Sequence, residues 1–120
     1  MNRFDIKLQF RPLSEEDGIL FYAQGSQDND FISLAVIKGH LEFRYDLGSG
    51  TLVLKSNSRI TLGKWNALVA RRYNQDGFLS LNEFDKVTGK AVGSIKTLNV
   101  DQKAWIGGII QGKIQKIATC

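Results

Sequence analysis

The chain is poor in the residues that build reactive centres: its 120 positions hold one cysteine, one histidine, one proline and one methionine. The single thiol is Cys120, the last residue, so no internal disulfide can form. His40, with neither a second histidine nor a cysteine pair, cannot complete a tetrahedral zinc site and reads as an exposed turn residue. Nucleophilic catalysis finds no Gly-x-Ser-x-Gly elbow and no cysteine with a separate histidine and amide. Glycoside hydrolysis needs two carboxylates held close together, whereas Glu15, Glu16, Glu42 and Glu83 fall in turns or on solvent faces at unrelated positions. Gly48-Ser49-Gly50 follows a strand pattern with no helix pattern behind it, so no row of amides is offered to a phosphate. Long apolar runs are missing too: nothing spans a bilayer, and Met1 to Asp5 lacks the apolar stretch of a secretory signal. A secreted parent protein would contain this chain as an excised piece.

What is present is alternation. Leu41, Phe43, Tyr45 and Leu47 interleave with Glu42, Arg44 and Asp46 before the Gly48-Ser49-Gly50 turn, the pattern of a strand with one face in a core. Phe4, Ile6, Leu8 and Phe10 alternate with Asp5, Lys7, Gln9 and Arg11 in a first strand that Pro12 ends. Ile19 to Ala23 is a continuous apolar run covered on both faces, and Phe31 to Ile37 turns through Lys38-Gly39-His40 into the Leu41 strand as an antiparallel neighbour. Thr51 to Lys55 and Arg59 to Leu62 read as two short strands split by Ser56-Asn57-Ser58. Trp65 to Tyr73 pairs through Asn74-Gln75-Asp76-Gly77 with Phe78 to Phe84. Lys86 to Gly93 reads as a loop, Ile95 to Val100 as a weaker strand, Ala104 to Ile106 as a short buried strand, and Ile114 and Ile117 mark an irregular last one. No window shows a capped helical period. The expectation is an all-β, two-sheet antiparallel sandwich or barrel forming one domain over residues 1–120.

The net charge of +4 and a pI near 9.3 favour acidic partners. Lys86, Lys90, Lys96, Lys103, Lys113 and Lys116 crowd the last third, a regional bias that ordinary solvated surface also explains. Arg71 and Arg72 stand at a strand end beside Tyr73 as a plausible anion contact, and because neighbours in a strand face opposite sides, one of them at most joins a given patch. Asp28-Asn29-Asp30 is the acidic cluster with hard oxygen ligands suited to calcium, although it lacks the spacing of an EF-hand and Asp and Asn also crowd turns. Asp46 is open to three readings, as ligand, turn cap or surface acid. Trp65 and Trp105 are read as core residues whose truncation costs about 3 to 5 kcal/mol.

The order of segments resembles the laminin G-like family. The resemblance rests on Phe4 to Arg11, Asp17 to Tyr22, Asp30 to Leu34, Lys38 to Gly50, Leu62-Gly63-Lys64-Trp65, Gly77 to Leu81 and Trp105-Ile106-Gly107-Gly108, in family order over nearly the whole chain. It implies a lectin-like jelly roll, apparently shortened at both ends, that is not an enzyme and works in extracellular matrix or at the cell surface among neighbouring domains of a larger chain. It further implies calcium at one rim, with Asp30 matching the first calcium aspartate and the backbone near Tyr45 to Leu47 a donating segment. The implied partners are acidic or sulfated glycans or a glycoprotein receptor, rather than nucleic acid. This sequence departs from the family in the late loop: Gly108 to Gly112 offers no carboxylate for the second ligand, and Cys120 lacks the partner cysteine the family places where Lys113 stands.

Three functions compete on these grounds. The first is a non-catalytic recognition module binding an acidic glycan, with Arg71, Arg72, Lys103, Lys113 and Lys116 as candidate contacts and Asp30 and Asp46 as calcium ligands. The second is a structural assembly module without a working calcium site. The third, remote, is an intracellular carrier trapping an apolar ligand inside a small barrel.

Overall fold

The computed structural model describes residues 3–24, 31–46, 51–91, 105–106 and 112–119, which form ten strands. No helix occurs among them. Strands β1 (Arg3–Pro12), β6 (Asn66–Tyr73), β7 (Asp76–Leu81), β8 (Asp85–Lys90) and β10 (Gly112–Thr119) make one antiparallel sheet in the order β10-β1-β6-β7-β8. The other sheet holds β2 (Gly18–Gln24), β3 (Phe31–Ile37), β4 (His40–Asp46), β5 (Thr51–Arg59) and β9 (Trp105–Ile106), ordered β5-β4-β3-β2-β9. We call them the β6 sheet and the β4 sheet.

Each sheet buries the apolar members of its alternation, as the sequence requires. Phe4, Ile6, Leu8 and Phe10 of β1 and Leu68 and Ala70 of β6 face Ile32, Leu34 and Val36 of β3 and Leu41, Phe43 and Tyr45 of β4 across a single core. Phe4, Phe21, Phe43 and Tyr45 form a chain of aromatic contacts inside it, with ring centroids between 5.4 and 6.3 Å apart. The hairpin between β3 and β4 turns at Lys38 and Gly39, both with positive φ, as a two-residue turn of this hand demands.

Four local expectations are corrected. The segment 51–62 is one strand to Arg59, because Ser56 folds inward: its Oγ accepts Leu41 N–H at 3.0 Å and donates to Ser58 O at 2.8 Å. That side chain bridges the irregularity where the register jumps from His40 opposite Arg59 to Glu42 opposite Lys55. Lys86 to Lys90, expected as part of a loop, belongs to strand Asp85–Lys90, whose outer members are Lys86, Thr88 and Lys90 and whose inner ones include the small Gly89. Glu42, expected on a solvent face, is buried there, with its carboxylate 2.9 Å from Arg44. Trp65 precedes β6 rather than opening it and is 47% exposed. Asn66 takes the inward position instead: its amide donates to Thr61 O and Lys64 O and accepts from Thr61 N and Asn82 Nδ2, knitting three segments together.

The sheets approach closely along β7 and β8. Gly77 and Gly89 are register partners facing inward, and a Cβ on Gly89 would lie 2.7 Å from a Leu54 methyl. At Gly77 the crowding atom is the Tyr45 hydroxyl, which crosses the sandwich to donate to Gln75 O at 2.8 Å. Asp85 fastens the opposite end of the same seam, accepting from Ser58 N and Oγ and from Asn57 Nδ2 of β5. Burial opposes the charge of Asp85, yet these hydrogen bonds prevail and hold its pKa below the usual carboxylate value.

Candidate functional site

The strand parity of the β6 sheet decides which cations reach the surface. Phe4, Ile6 and Leu8 of β1 pair with Arg72, Ala70 and Leu68 of β6 in inward rows, so the outward rows hold Asp5 with Arg71 and Lys7 with Val69. Across β7 and β8 these rows continue as Arg71, Phe78 and Thr88, and as Val69, Ser80 and Lys86. The next row toward the strand ends is Tyr73, Asp76 and Lys90. The outer face thus carries Lys7, Arg11, Arg71, Lys86 and Lys90 against Asp5 and Asp76. Among the described residues only Arg71 of these cations forms an ion pair, with Nε 3.0 Å from Asp5 Oδ1. Its guanidinium also lies over the Phe78 ring, 5.8 Å from the centroid, so a carboxylate and an aromatic face hold it in place.

Arg71 and Arg72 separate as their parity dictates. Arg72 is fully buried, with Nε donating to Asn74 O at 2.8 Å. It therefore serves the β6–β7 turn and the core rather than the surface contact expected of it, and a buried guanidinium requires such partners. Its charge also acts on Tyr45: burial raises the phenol pKa, Arg72 lowers it, Asp76 raises it, and the balance is about 12.

The other expected site residues lie on β10, at the rim, or outside the described structure. In the register of β10 with β1, Lys113 is opposite Arg11, a position in an outward row, whereas Lys116 is opposite the inward-row Leu8 and so its position does not extend the outward rows. Lys103 and Asp30 lie outside the described residues, as do Gly48, Gly50, Gly107 and Gly108. Asp46 ends β4, is half-buried, and accepts a hydrogen bond from Thr51 Oγ1 at 3.1 Å. Its register partner is Phe31, the residue after Asp30. His40 is partly buried at the start of β4, its Nδ1 3.0 Å from Ser56 O, rather than free in a turn. Among the described residues no group of three His, Cys, Asp or Glu gathers to hold a metal. No described helix is long and apolar enough to cross a membrane.

Lys7 and Arg11 sit on the polar parity of the first strand, and no sequence motif marks them as contacts. Their significance depends on β1 lying between β10 and β6, which no local pattern announces.

The laminin G domain pattern matches residues 13–119. Over 106 residues the chain is 40% identical to the mouse basement membrane-specific heparan sulfate proteoglycan core protein, covering 87% of this chain and 3% of that protein. Bovine pikachurin is 38% identical over 105 residues, covering 88% of this chain and 10% of that one. The chain therefore spans a small part of these relatives. Among solved structures, domains LG4-5 of the mouse laminin alpha1 chain superpose with a TM-score of 0.81 at 24% identity, covering 89% of this chain and 28% of theirs. The LG1-3 region of the laminin alpha2 chain gives 0.77 at 27% identity, covering 86% and 21%. With an all-β sandwich, a matching family pattern and relatives at this identity, the chain belongs to the laminin G domain family, whose members in matrix proteins are non-catalytic modules.

Proposed function

We propose that this domain is an extracellular recognition module that binds an acidic or sulfated glycan, free or carried by a glycoprotein receptor, through the outer face of the β6 sheet. The observation that carries the reading is the uncompensated charge of that face, where Lys7, Arg11, Lys86 and Lys90 make no ion pair among the described residues. Such a face raises the local concentration of a polyanion and steers its approach. Binding should weaken as salt rises, since exposed charges are screened over about 8 to 10 Å at physiological ionic strength. Retention on immobilised heparin, eluted with a salt gradient, tests it; no retention at low salt would overturn it.

Calcium belongs to the same proposal as an aid at the neighbouring rim. Asp46 and Asp30 would hold the ion, which would supply a bridging charge to glycan oxygens. With one described carboxylate and no described cluster, the site would be weak. An ion that binds only the folded chain raises its melting temperature, so a rise in millimolar calcium that Asp46→Asn abolishes supports this part.

The assembly reading has its own support at the opposite end of the sandwich. Leu13, Leu62, Trp65 and Phe84 are exposed there, beside the turn where Gly63 N–H bonds Pro12 O. A melting temperature indifferent to calcium, together with failure to bind heparin, would favour it.

A further inference from the structure

We propose that the open hollow on the outer face of β6, β7 and β8 is a saccharide subsite, in which the Tyr73 ring stacks on a sugar ring while Arg71 and Lys90 engage its carboxylate or sulfate. This rests on the acidic-glycan reading and gives it an address on the sheet face, distinct from the Asp30–Asp46 rim.

The hollow has a volume of about 560 Å³ and a predominantly apolar lining. Its walls are two adjacent outward rows, Tyr73, Asp76 and Lys90, and Arg71, Phe78 and Thr88. Tyr73 is 59% exposed, a large amphipathic ring presented to solvent. An exposed tyrosine needs no explanation by itself. This one, however, borders a concavity flanked by two cations, and the guanidinium is already oriented by Asp5 and Phe78. A ligand meeting it pays little side-chain entropy to organise that contact.

The composition of the walls selects among anions. A bare polyanion such as polyphosphate offers acceptors only, and gains nothing from a carboxylate or an aromatic face. A uronic or sulfated sugar offers three features at once: anionic groups for Arg71 and Lys90, hydroxyl donors for Asp76 and Thr88, and a ring face for Tyr73. The mixture of cation, acid, hydroxyl and aromatic in one hollow fits that combined chemistry. Charge complementarity over the rest of the face, from Lys7 to Lys86, would carry the neighbouring sugars of a chain.

The experiment compares two probes on the full chain: a heparin-derived octasaccharide and a polyphosphate of similar charge, each titrated by calorimetry at low and physiological salt. Tyr73→Ala should weaken octasaccharide binding roughly three- to tenfold and leave polyphosphate binding unchanged. Tyr73→Phe, which keeps the ring, should retain octasaccharide binding. Circular dichroism melts of both variants verify the fold. Equal loss of both probes in Tyr73→Ala, or loss of neither, overturns the subsite while leaving the electrostatic reading in place. Absence of binding by the unsubstituted chain to either probe at low salt overturns both.

Discussion

The outer faces of the two sheets treat charge in opposite ways. On the β4 sheet Arg44 is 2.9 Å from Glu42 and Arg59 is 2.8 Å from Glu15, so both arginines are ion-paired, and Lys55 sits opposite Glu42 in register. On the β6 sheet Lys7, Arg11, Lys86 and Lys90 form no ion pair among the described residues, although Asp76 sits opposite Lys90 in register, and Arg71 is the cation of this face that is paired, with Asp5. Exposed ion pairs contribute little to stability, typically under about 1 kcal/mol, so pairing on one face is not a large folding device. Its consequence is that one face is nearly neutral to an approaching polyanion and the other attracts it. Net charge is a property of the chain; what the fold adds is the side on which it is left uncompensated.

Four experiments would break or sharpen this contrast. The largest effect is expected from charge reversal on the β6 sheet. Lys7→Glu, Arg71→Glu and Lys86→Glu combined should abolish heparin retention at physiological salt, whereas Arg44→Glu, Lys55→Glu and Arg59→Glu should shift elution far less. Similar losses from the two triples would erase the distinction between faces. Next comes the pair of adjacent arginines. Arg72→Ala should lower unfolding free energy by about 2 to 3 kcal/mol, because it strips a buried hydrogen bond and charge from the β6–β7 turn. Arg71→Ala should change stability by less than about 1 kcal/mol but weaken heparin retention. Urea melts of both variants separate the two roles.

Smaller effects follow from neighbouring positions on β8. Gly89→Ala forces the added methyl against Leu54 and should cost about 1 to 2 kcal/mol, while Thr88→Ala on the outer face should stay within about 0.5 kcal/mol. The smallest is a pH effect at Asp85. Its pKa is lowered in the folded chain, so its contribution is complete above the ordinary value of 3.8 and is lost as pH falls through the folded pKa. Urea midpoints at pH 6 and pH 3 should therefore converge more in Asp85→Asn than in the unsubstituted chain.

Much of the sandwich was legible from alternation. Phe4 to Phe10, Phe31 to Ile37 and Leu41 to Tyr45 repeat every second residue, and the strands follow them closely. The sequence failed where side chains broke that signal. Asp85 to Lys90 has only Val87 as an apolar inward residue, since its other central inward position must be glycine to let Leu54 approach. Ser56 looked like a loop residue because its hydroxyl replaces a backbone partner inside a strand. Trp65 looked like core because it opens the apolar run Trp65 to Tyr73, yet Asn66 holds the inward parity and the hydrogen bonds of that corner. At the candidate site, strand parity allowed one arginine of Arg71 and Arg72 on the surface, but its choice required the pairing of Phe4 with Arg72. The basic face itself depends on strands far apart in sequence lying side by side, which local periodicity cannot reveal.

The place of β1 between β6 and β10 has a temporal consequence. The β2 to β5 meander pairs neighbours in sequence and can form early, by short loop closures. The first strand must wait: one partner is Asn66–Tyr73 and the other is Gly112–Thr119, the last described strand of the chain. During synthesis, then, half of the sandwich can assemble while Phe4, Ile6 and Leu8 await β6, and the outer edge of β1 gains its partner only when β10 has left the ribosome. Folding should be slow for the size, and nascent chains stalled before β10 should display an unpaired β1 edge as a target for chaperones.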